Sequence, residues 1–198
     1  MMPVFDAVEM EETHMKRLLL LSVIGCCCGL LASPTWLEAV EPSKVGLKTC
    51  GWPAIQKLVK QHKGQVVVLN VWTTTCGTCL EEFPKFVQMH KDFGADKLVC
   101  VSVNCDFDGI KDKPPAFYRA DVMKVLLKHE AKFPNVMLDV AFIEFLEQRK
   151  LSSTPAMYVY GRDGKLAKRF DNDDAEKAED EFTIGDVRKL IGQLLAKK

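Results

Sequence analysis

Hydrophobic positions along the chain form two kinds of pattern that follow one another. Two runs, 65–72 and 97–104, are apolar and β-branched without polar alternation, which is typical of strands buried on both faces. A shorter apolar run at 135–139 predicts a third strand. Other segments repeat apolar residues at helical spacing and predict amphipathic helices. These predicted helices cover 53–63, 77–93, 120–132 and 140–150.

The last part of the chain changes from this alternation to a hairpin and a helix. The runs 156–161 and 165–170 flank Arg162-Asp163-Gly164, a turn signal, and 184–197 predicts a closing helix. Strands that alternate with helices form parallel sheets, and a hairpin adds antiparallel strands at one edge. The pattern therefore predicts an α/β fold whose central mixed, mostly parallel sheet carries helices on both faces.

The first 39 residues follow neither pattern. No residue from Leu18 to Leu37 is charged, and Lys16-Arg17 stand just before this run, as in a secretory signal. The run is short for a spanning helix, and Pro34 interrupts it. We therefore expect residues 1–39 to be an N-terminal extension and leader. Residues 40–198 form the folded domain, with a linker over 40–50 and a loop over 105–118.

The leader allows several outcomes. Cleavage could follow Ala32 or Ala39, and an uncleaved membrane anchor is an alternative. Val23-Ile24-Gly25-Cys26 resembles a bacterial lipoprotein box, with Cys26 as the lipidated residue. Each outcome places the protein in the bacterial periplasm or cell envelope, with membrane contact only through the leader or a lipid anchor.

The charge balance removes one class of partner. The 198 residues include 27 basic and 27 acidic side chains and are 47% hydrophobic, which is ordinary for one globular domain. A nucleic-acid-binding protein would need a basic excess or basic clusters. We therefore expect no nucleic-acid partner.

Two of the eight cysteines stand at a chemically distinctive place. Cys76-Gly77-Thr78-Cys79 lies where a predicted buried strand passes into a predicted helix. The first turn of a helix has unbonded N–H groups and a partial positive charge, which lower the pKa of a thiol there. Cys76 would attack a disulfide, and Cys79, one turn further in, would resolve the mixed disulfide.

Two other readings of this pair have less support. A structural zinc site needs four ligands, whereas Cys50, Cys100 and Cys105 and the histidines are scattered, so we expect no metal. A staple across one helical turn closes a very small loop and removes little chain entropy. Cys100 and Cys105 are interpreted as core or loop thiols.

Two longer stretches carry a family resemblance. The runs "VVVLNVWTTTCGTCLEEFP" (66–84) and "SSTPAMYVYGRDGK" (152–165), together with the export signal, resemble the TlpA/ResA-like branch of the thioredoxin superfamily. The likeness covers residues 50–197. It implies a thioredoxin fold and an envelope thiol–disulfide oxidoreductase, most often a reductase. It implies no cofactor, because the electrons reside on the two sulfurs.

The resemblance also implies roles for residues outside the cysteine pair. The proline that matches Pro155 is cis and lies opposite the pair, and Thr154 offers its backbone to an extended substrate. Glu82 matches a partly buried glutamate, and its i,i+3 spacing lets it take the proton of Cys79. Asn70 stands where thioredoxin itself has a buried aspartate, which leaves Glu82 as the favoured base.

The sequence departs from the family pattern at two positions near the pair. Thr75 stands where an aromatic residue is common, so Trp72 is the tryptophan expected to contact substrate. Thr78 replaces the more usual proline between the cysteines. Residues between the cysteines influence the reduction potential, so the sequence leaves the direction of the reaction open.

Together these observations predict an exported thiol–disulfide oxidoreductase that reduces disulfides of envelope proteins. Its expected partners are substrate proteins with disulfides and a membrane or soluble thiol electron donor. One alternative is a thiol peroxidase, because Thr73-x-x-Cys76 faintly resembles the peroxiredoxin spacing. The other is a non-catalytic binding module with a thioredoxin fold.

Overall fold

The structure is a computed structural model that describes residues 44–177 and 180–197. The predictions for the leader, including Cys26, lie outside the described residues. Within them, strands and helices alternate in the predicted order, with one strand added at the start. The elements are β1 Lys48–Cys50, α1 Trp52–Gln61, β2 Val66–Trp72, α2 Gly77–Phe93, β3 Leu98–Asn104, α3 Pro115–Lys128, β4 Asn135–Leu138, α4 Phe142–Arg149, β5 Ala156–Tyr160, β6 Leu166–Phe170 and α5 Ile184–Ala196.

The six strands form one mixed sheet in the order β1-β4-β3-β2-β5-β6. The pairs β1–β4, β4–β3 and β3–β2 are parallel, and β2–β5 and β5–β6 are antiparallel. This arrangement confirms the predicted α/β class and its mostly parallel sheet. Every residue of β2 and β3 is buried, as the unbroken apolar runs predict.

Helices cover both faces of the sheet. Alternate residues of a strand point to opposite faces. In β5, Met157 and Val159 belong to the core cluster that includes Phe83 of α2. Tyr158, between them, contacts Trp52 of α1, with the ring centroids 5.3 Å apart. The residues of β5 thus pack into two separate layers, one on each face.

Two elements differ from the sequence-based expectation. The predicted linker 40–50 contains β1, which pairs through its backbone with β4. The helix expected at 120–132 begins earlier, at Pro115, and ends earlier, at Lys128. Pro115 takes the first helical turn, where the N–H that proline lacks has no partner within the helix. Glu130 has φ +53°, which is incompatible with a continued helix.

The topology brings several loops to one edge of the sheet, which we call the dithiol edge. The parallel strands β2, β3 and β4 all end at this edge, and β5, antiparallel to β2, begins there. Binding sites of α/β sheets form beyond the carboxyl ends of the strands. No helix among the described residues combines the length and apolar character needed to cross a bilayer.

Candidate active site

Cys76 and Cys79 are joined in a disulfide at the dithiol edge, with their Cα atoms 5.2 Å apart. Cys76 directly follows the turn after β2 and is the N-cap residue of α2. Its Sγ accepts a hydrogen bond from the backbone N–H of Cys79 at 3.1 Å. Cys76 is partly exposed, whereas Cys79 is 1% exposed. An incoming thiol or disulfide therefore reaches the sulfur of Cys76 first.

The segment before β5 lies against this disulfide. The peptide bond between Thr154 and Pro155 is cis. The carbonyl oxygen of Thr154 is 3.5 Å from Sγ of Cys76. Thr154 is partly exposed and Pro155 is buried. The structure thus brings together four of the residues that sequence reasoning selected, from segments 78 positions apart.

Asp106, which sequence reasoning missed, holds the loop that leads to Cys76 in place by hydrogen bonds. Its carboxylate accepts hydrogen bonds from the backbone N–H of Thr74 at 2.7 Å and from the Thr74 hydroxyl at 2.6 Å. The amide of Asn104 also donates to it, at 3.1 Å. These bonds connect the loop after β2 to the end of β3. The two bonds from Thr74 link residues 32 positions apart, so no local sequence pattern indicates them.

The expected substrate contact of Trp72 is wrong. Its side chain is 0% exposed, and its indole N–H donates to the hydroxyl of Ser102 at 2.8 Å. Its ring packs on Phe83, with centroids 4.8 Å apart. β2 is buried along its whole length, so its last residue belongs to the core and has no surface for a substrate.

Glu82 lies one helical turn after Cys79 on the same face of α2. One carboxylate oxygen accepts a hydrogen bond from Lys85 Nζ at 2.6 Å, and this bond raises the pKa of Lys85. The other oxygen, Oε2, is buried and has no hydrogen-bond partner among the described residues. The side chain is 20% exposed, so it lies between the core and the solvent. A carboxylate in this position has a free acceptor for a proton.

The other described cysteines are poor nucleophiles. Burial raises the pKa of the Cys100 and Cys105 thiols well above the usual value. Burial and then the nearby negative charge of Asp139 raise the pKa of Cys50 to about 11. Only the thiolate attacks a disulfide, so these three thiols are largely unreactive at neutral pH.

Comparisons with known proteins agree with this geometry. The Redoxin family model matches residues 42–186. A thiol-disulfide isomerase from Corynebacterium glutamicum is 15% identical, with a TM-score of 0.55 over 70% of this chain and 86% of that chain. A secreted disulfide oxidoreductase from Mycobacterium tuberculosis is 18% identical, with a TM-score of 0.50 over 68% of this chain and 86% of that chain. At these identities the likeness shows the fold alone.

A curated relative gives a shorter match. Thioredoxin-like protein YneN of Bacillus subtilis is 41% identical over 46 residues, which is 23% of this chain. The match spans about a quarter of that relative's length, 26%.

Fold and site together define a class of protein, the thioredoxin-like α/β proteins with a Cys-x-x-Cys disulfide at the start of a helix. The family model covers most of the chain. The chain belongs to the Redoxin family.

Proposed function

We propose that this protein is an exported oxidoreductase that reduces disulfides of envelope proteins with the Cys76–Cys79 dithiol. The observation that carries the proposal is the placement of Cys76. Its sulfur is the partly exposed one of the pair, it caps α2, and it faces the Thr154 carbonyl. The secreted Mycobacterium tuberculosis neighbour and the apolar leader both support export.

The first step starts from the reduced pair. The Cys79 N–H and the first turn of α2 stabilise a thiolate at Cys76. This thiolate attacks one sulfur of the substrate disulfide, forms a new S–S bond and releases the other substrate sulfur as a thiolate. The Thr154 backbone pairs with an extended substrate segment in the manner of an added strand, which aligns the bond under attack.

The second step releases the substrate. Cys79 loses its proton to Glu82, whose buried oxygen is unpaired. The Cys79 thiolate then attacks Cys76, which closes the Cys76–Cys79 disulfide and frees the second substrate sulfur. The substrate gains two electrons and two protons, one of them returned by Glu82.

The disulfide then needs two electrons to begin again. A membrane-bound or soluble thiol donor supplies them by thiol–disulfide exchange, in which the donor's thiolate attacks the sulfur of Cys76. The two sulfurs hold the electrons, so the cycle needs no cofactor.

A reduction potential tests the direction of the reaction. The Cys76–Cys79 pair is equilibrated with defined ratios of reduced and oxidised dithiothreitol or glutathione, and the oxidised fraction is measured by alkylation and mass spectrometry. A potential near about −270 mV, at the thioredoxin end of the scale, supports a reductase. A potential near about −120 mV would make the protein an oxidant and overturn the proposal.

Cysteine variants test the chemistry itself. We expect Cys76→Ser to abolish insulin disulfide reduction and Cys79→Ser to accumulate mixed disulfides with substrate. Peroxide consumption that needs only Cys76 would instead identify a thiol peroxidase. Partner binding that persists in the Cys76→Ser, Cys79→Ser double variant, with no insulin reduction by the natural protein, would identify a binding module.

A further inference from the structure

The edge of the sheet opposite the dithiol edge gathers positive charge, and we call it the basal edge. The parallel strands β1, β2, β3 and β4 begin there, β5 ends there and β6 begins there. The segments that border these strand ends, with the last residues of α5, are 44–47, 60–65, 91–97, 128–134, 161–165 and 194–197. They carry ten lysine and arginine side chains and four acidic ones. Every one of the ten basic side chains is exposed.

Direct bonds join these segments into one surface. The Gly64 N–H donates to the Arg162 carbonyl oxygen at 2.8 Å, and Arg162 Nη1 donates to the Lys197 carbonyl oxygen at 3.3 Å. Gln65 Nε2 donates to the Ala95 carbonyl oxygen at 2.7 Å, which adds the segment before β3. An ion pair of 3.9 Å joins that segment to the one before β4. A hydrogen bond of 3.0 Å from the first residue of β4 reaches the segment before β1.

The positive excess does not depend on where the segments are cut. On the N-terminal side of the five later segments, the next charged residue is a lysine each time: Lys57, Lys85, Lys124, Lys150 and Lys189. On the C-terminal side, the first acidic residues after β2, β3 and β4 are Glu81, Asp106 and Asp139. A whole buried strand separates each of these three from the basal edge, so they belong to the other side of the sheet.

Two of the four acidic side chains at the basal edge are already paired. Asp92 accepts a hydrogen bond from Arg188, which lies outside the six segments, at 2.7 Å. Glu130 lies 3.5 Å from Lys132 and 3.9 Å from Lys91. The chain as a whole has 27 basic and 27 acidic side chains. The fold therefore separates charges that the composition shows as balanced, because it brings dispersed lysines to one edge.

The basal edge is a broad surface that also contains a groove. Six strands at a spacing of about 4.8 Å make it about 24 Å wide. A groove of about 780 Å³ lies between the β5–β6 turn and the end of α5, and its lining includes Arg162, Lys165 and Lys197. Cavities of about 300–1,000 Å³ bind small molecules, so the phosphate-bearing headgroup of a lipid fits this groove.

Two exposed leucines lie within the basic surface. Leu127 is 57% exposed and directly precedes Lys128, and Leu166 is 50% exposed and directly follows Lys165. Lysines beside exposed apolar side chains suit the boundary between lipid headgroups and acyl chains. Nucleic acid offers phosphates but no apolar layer, so these leucines favour a bilayer as the partner.

The leader joins the folded domain at the same edge. Its uncharged run ends at Leu37, seven positions before Lys44, and Lys44 belongs to the segment that precedes β1. Seven residues span at most about 25 Å. A leader that remains in a membrane as an anchor therefore keeps the start of β1 within this distance of the bilayer.

We propose that the basal edge docks on an anionic bilayer surface, where lipid phosphates pair with its lysines and its arginine. The proposal rests on the export that forms part of the proposed function. Anionic lipids attract basic side chains that lie close to the bilayer. The seven residues of β2 separate the basal edge from the loop that leads to Cys76 by about 23 Å. Docking thus leaves Cys76 on the aqueous side, and a membrane-bound thiol donor must present its cysteine at this height.

Lysine footprinting of the full-length protein tests the docking. The protein is reconstituted into vesicles of phosphatidylcholine alone and into vesicles of phosphatidylcholine with phosphatidylglycerol. Both samples are treated briefly with the uncharged N-hydroxysuccinimide ester of acetic acid, and mass spectrometry gives the acetylation rate of each lysine. The leader is present in both samples, so a difference between them reports on the charge of the lipid.

We expect Lys63, Lys128 and Lys165 to be acetylated about threefold more slowly on the anionic vesicles than on the neutral ones, because docking covers the basal edge. High salt should remove this protection, since it screens exposed charges. Lys111, in the loop after β3, and Lys150, before β5, lie away from the basal edge. Their acetylation rates should be the same on both kinds of vesicle.

Matched variants separate the basal charges from charge in general. Lys63→Glu with Lys165→Glu reverses two charges of the basal edge, and Lys111→Glu with Lys150→Glu reverses two elsewhere. All four side chains are exposed, so neither double variant opens the core. The basal variant should lose most of the protection at Lys128, and the control variant should keep it. The basal variant should also reduce insulin in solution at the natural rate.

Each other outcome overturns a stated claim. Equal acetylation on both kinds of vesicle, or protection that survives in the basal variant, would overturn the docking proposal and leave the oxidoreductase activity intact. Protection by duplex DNA but not by anionic vesicles would assign the basal edge to nucleic acid and would also overturn the docking proposal. No insulin reduction by the natural protein would overturn the proposed function, whatever the footprint shows.

Discussion

At the scale of single residues, Asp106 connects the reactive loop to the rest of the fold. Its carboxylate accepts both hydrogen bonds that Thr74 donates and a third from Asn104. Within the loop before Cys76, the Cys76 N–H donates to the Thr73 carbonyl at 3.4 Å, and the Thr73 and Thr75 hydroxyls are hydrogen-bonded at 3.2 Å. The position of Cys76 relative to Thr154 therefore depends on a side chain that takes no part in the exchange itself.

We expect Asp106→Ala to lower the free energy of unfolding by about 2 kcal/mol, because hydrogen bonds to a charged group contribute about 1.5–3 kcal/mol. It should also slow insulin reduction, since Cys76 is held less firmly against the Thr154 segment. Urea unfolding and the reduction assay measure the two effects. Asp112→Ala is the control, because it removes the same charge from an exposed position in the same loop. Equal losses in both variants would contradict the anchoring role.

The sequence predicts the place of a functional residue when that place is determined by its neighbours along the chain. Two cysteines three positions apart, at a strand-to-helix junction, share the first turn of α2 whatever the rest of the fold does. Trp72 fails because its burial depends on Ser102 and Phe83, which the sequence does not place beside it. Asp106 is missed for the same reason, since its partner Thr74 is brought near by strand pairing.

At the scale of elements, unbroken apolar runs and helical spacing predict most of the fold. Both long buried strands, β2 and β3, agree with their predicted ranges to within one residue. β1 is missed because its three residues, Lys-Thr-Cys, have no apolar pattern, and backbone pairing with β4 alone makes them a strand. The start of α3 lies inside the predicted loop 105–118, because Pro114-Pro115 is typical of a loop, although proline also suits a first helical turn.

A reciprocal cap fixes the start of α5. The Thr183 hydroxyl accepts from the Asp186 N–H, and the Asp186 carboxylate accepts from the Thr183 N–H at 2.9 Å and from its hydroxyl at 2.7 Å. These bonds hold the pKa of Asp186 below its usual value. Ile184, directly after the cap, packs into the core that also holds Phe83 of α2. The cap therefore positions a helix that covers the reactive one.

We expect Thr183→Ala to lower the free energy of unfolding by about 1 kcal/mol at pH 7, where Asp186 is ionised. Because the folded state lowers the pKa of Asp186, its contribution is complete above the unfolded value of about 3.9 and is lost as the pH falls through the lower folded value. The difference between the variant and the natural protein should therefore shrink towards pH 3. Urea unfolding at both pH values measures it, and a difference that does not change with pH would contradict the cap.

At the scale of the whole molecule, the sheet topology gathers the chemistry at one edge. Cys76, Asp106 and Thr154 come from the segments that follow β2 and β3 and the segment that precedes β5. The opposite edge carries none of them. Electrostatics at the dithiol edge act in two directions on Cys76. The start of α2 stabilises its thiolate, whereas the Thr154 carbonyl oxygen, 3.5 Å from the sulfur, opposes further negative charge.

The balance between these effects sets which redox form of the folded protein is the more stable. The direction of the reaction can therefore be read from the difference in unfolding free energy between the oxidised and the reduced protein. The folded and unfolded states and the two redox states form a thermodynamic cycle. A disulfide that is harder to reduce in the folded protein than in the unfolded chain makes the oxidised protein the more stable form. An oxidant behaves in the opposite way, because its reduced form is stabilised. Each 30 mV between the folded and unfolded potentials corresponds to about 1.4 kcal/mol.

For the proposed reductase we expect the oxidised protein to unfold at a higher urea concentration than the protein kept in excess dithiothreitol. The bond itself closes a very small loop, so its effect on chain entropy is minor and the difference reports mainly on the folded environment of the two sulfurs. The Cys76→Ser, Cys79→Ser double variant should unfold at one urea concentration with and without dithiothreitol, which controls for the buried thiols of Cys100 and Cys105. If the reduced form is instead the more stable by several kcal/mol, the folded protein favours its two thiols over its disulfide. Such a protein transfers its disulfide to substrates and does not reduce theirs, which would contradict the proposed reductase.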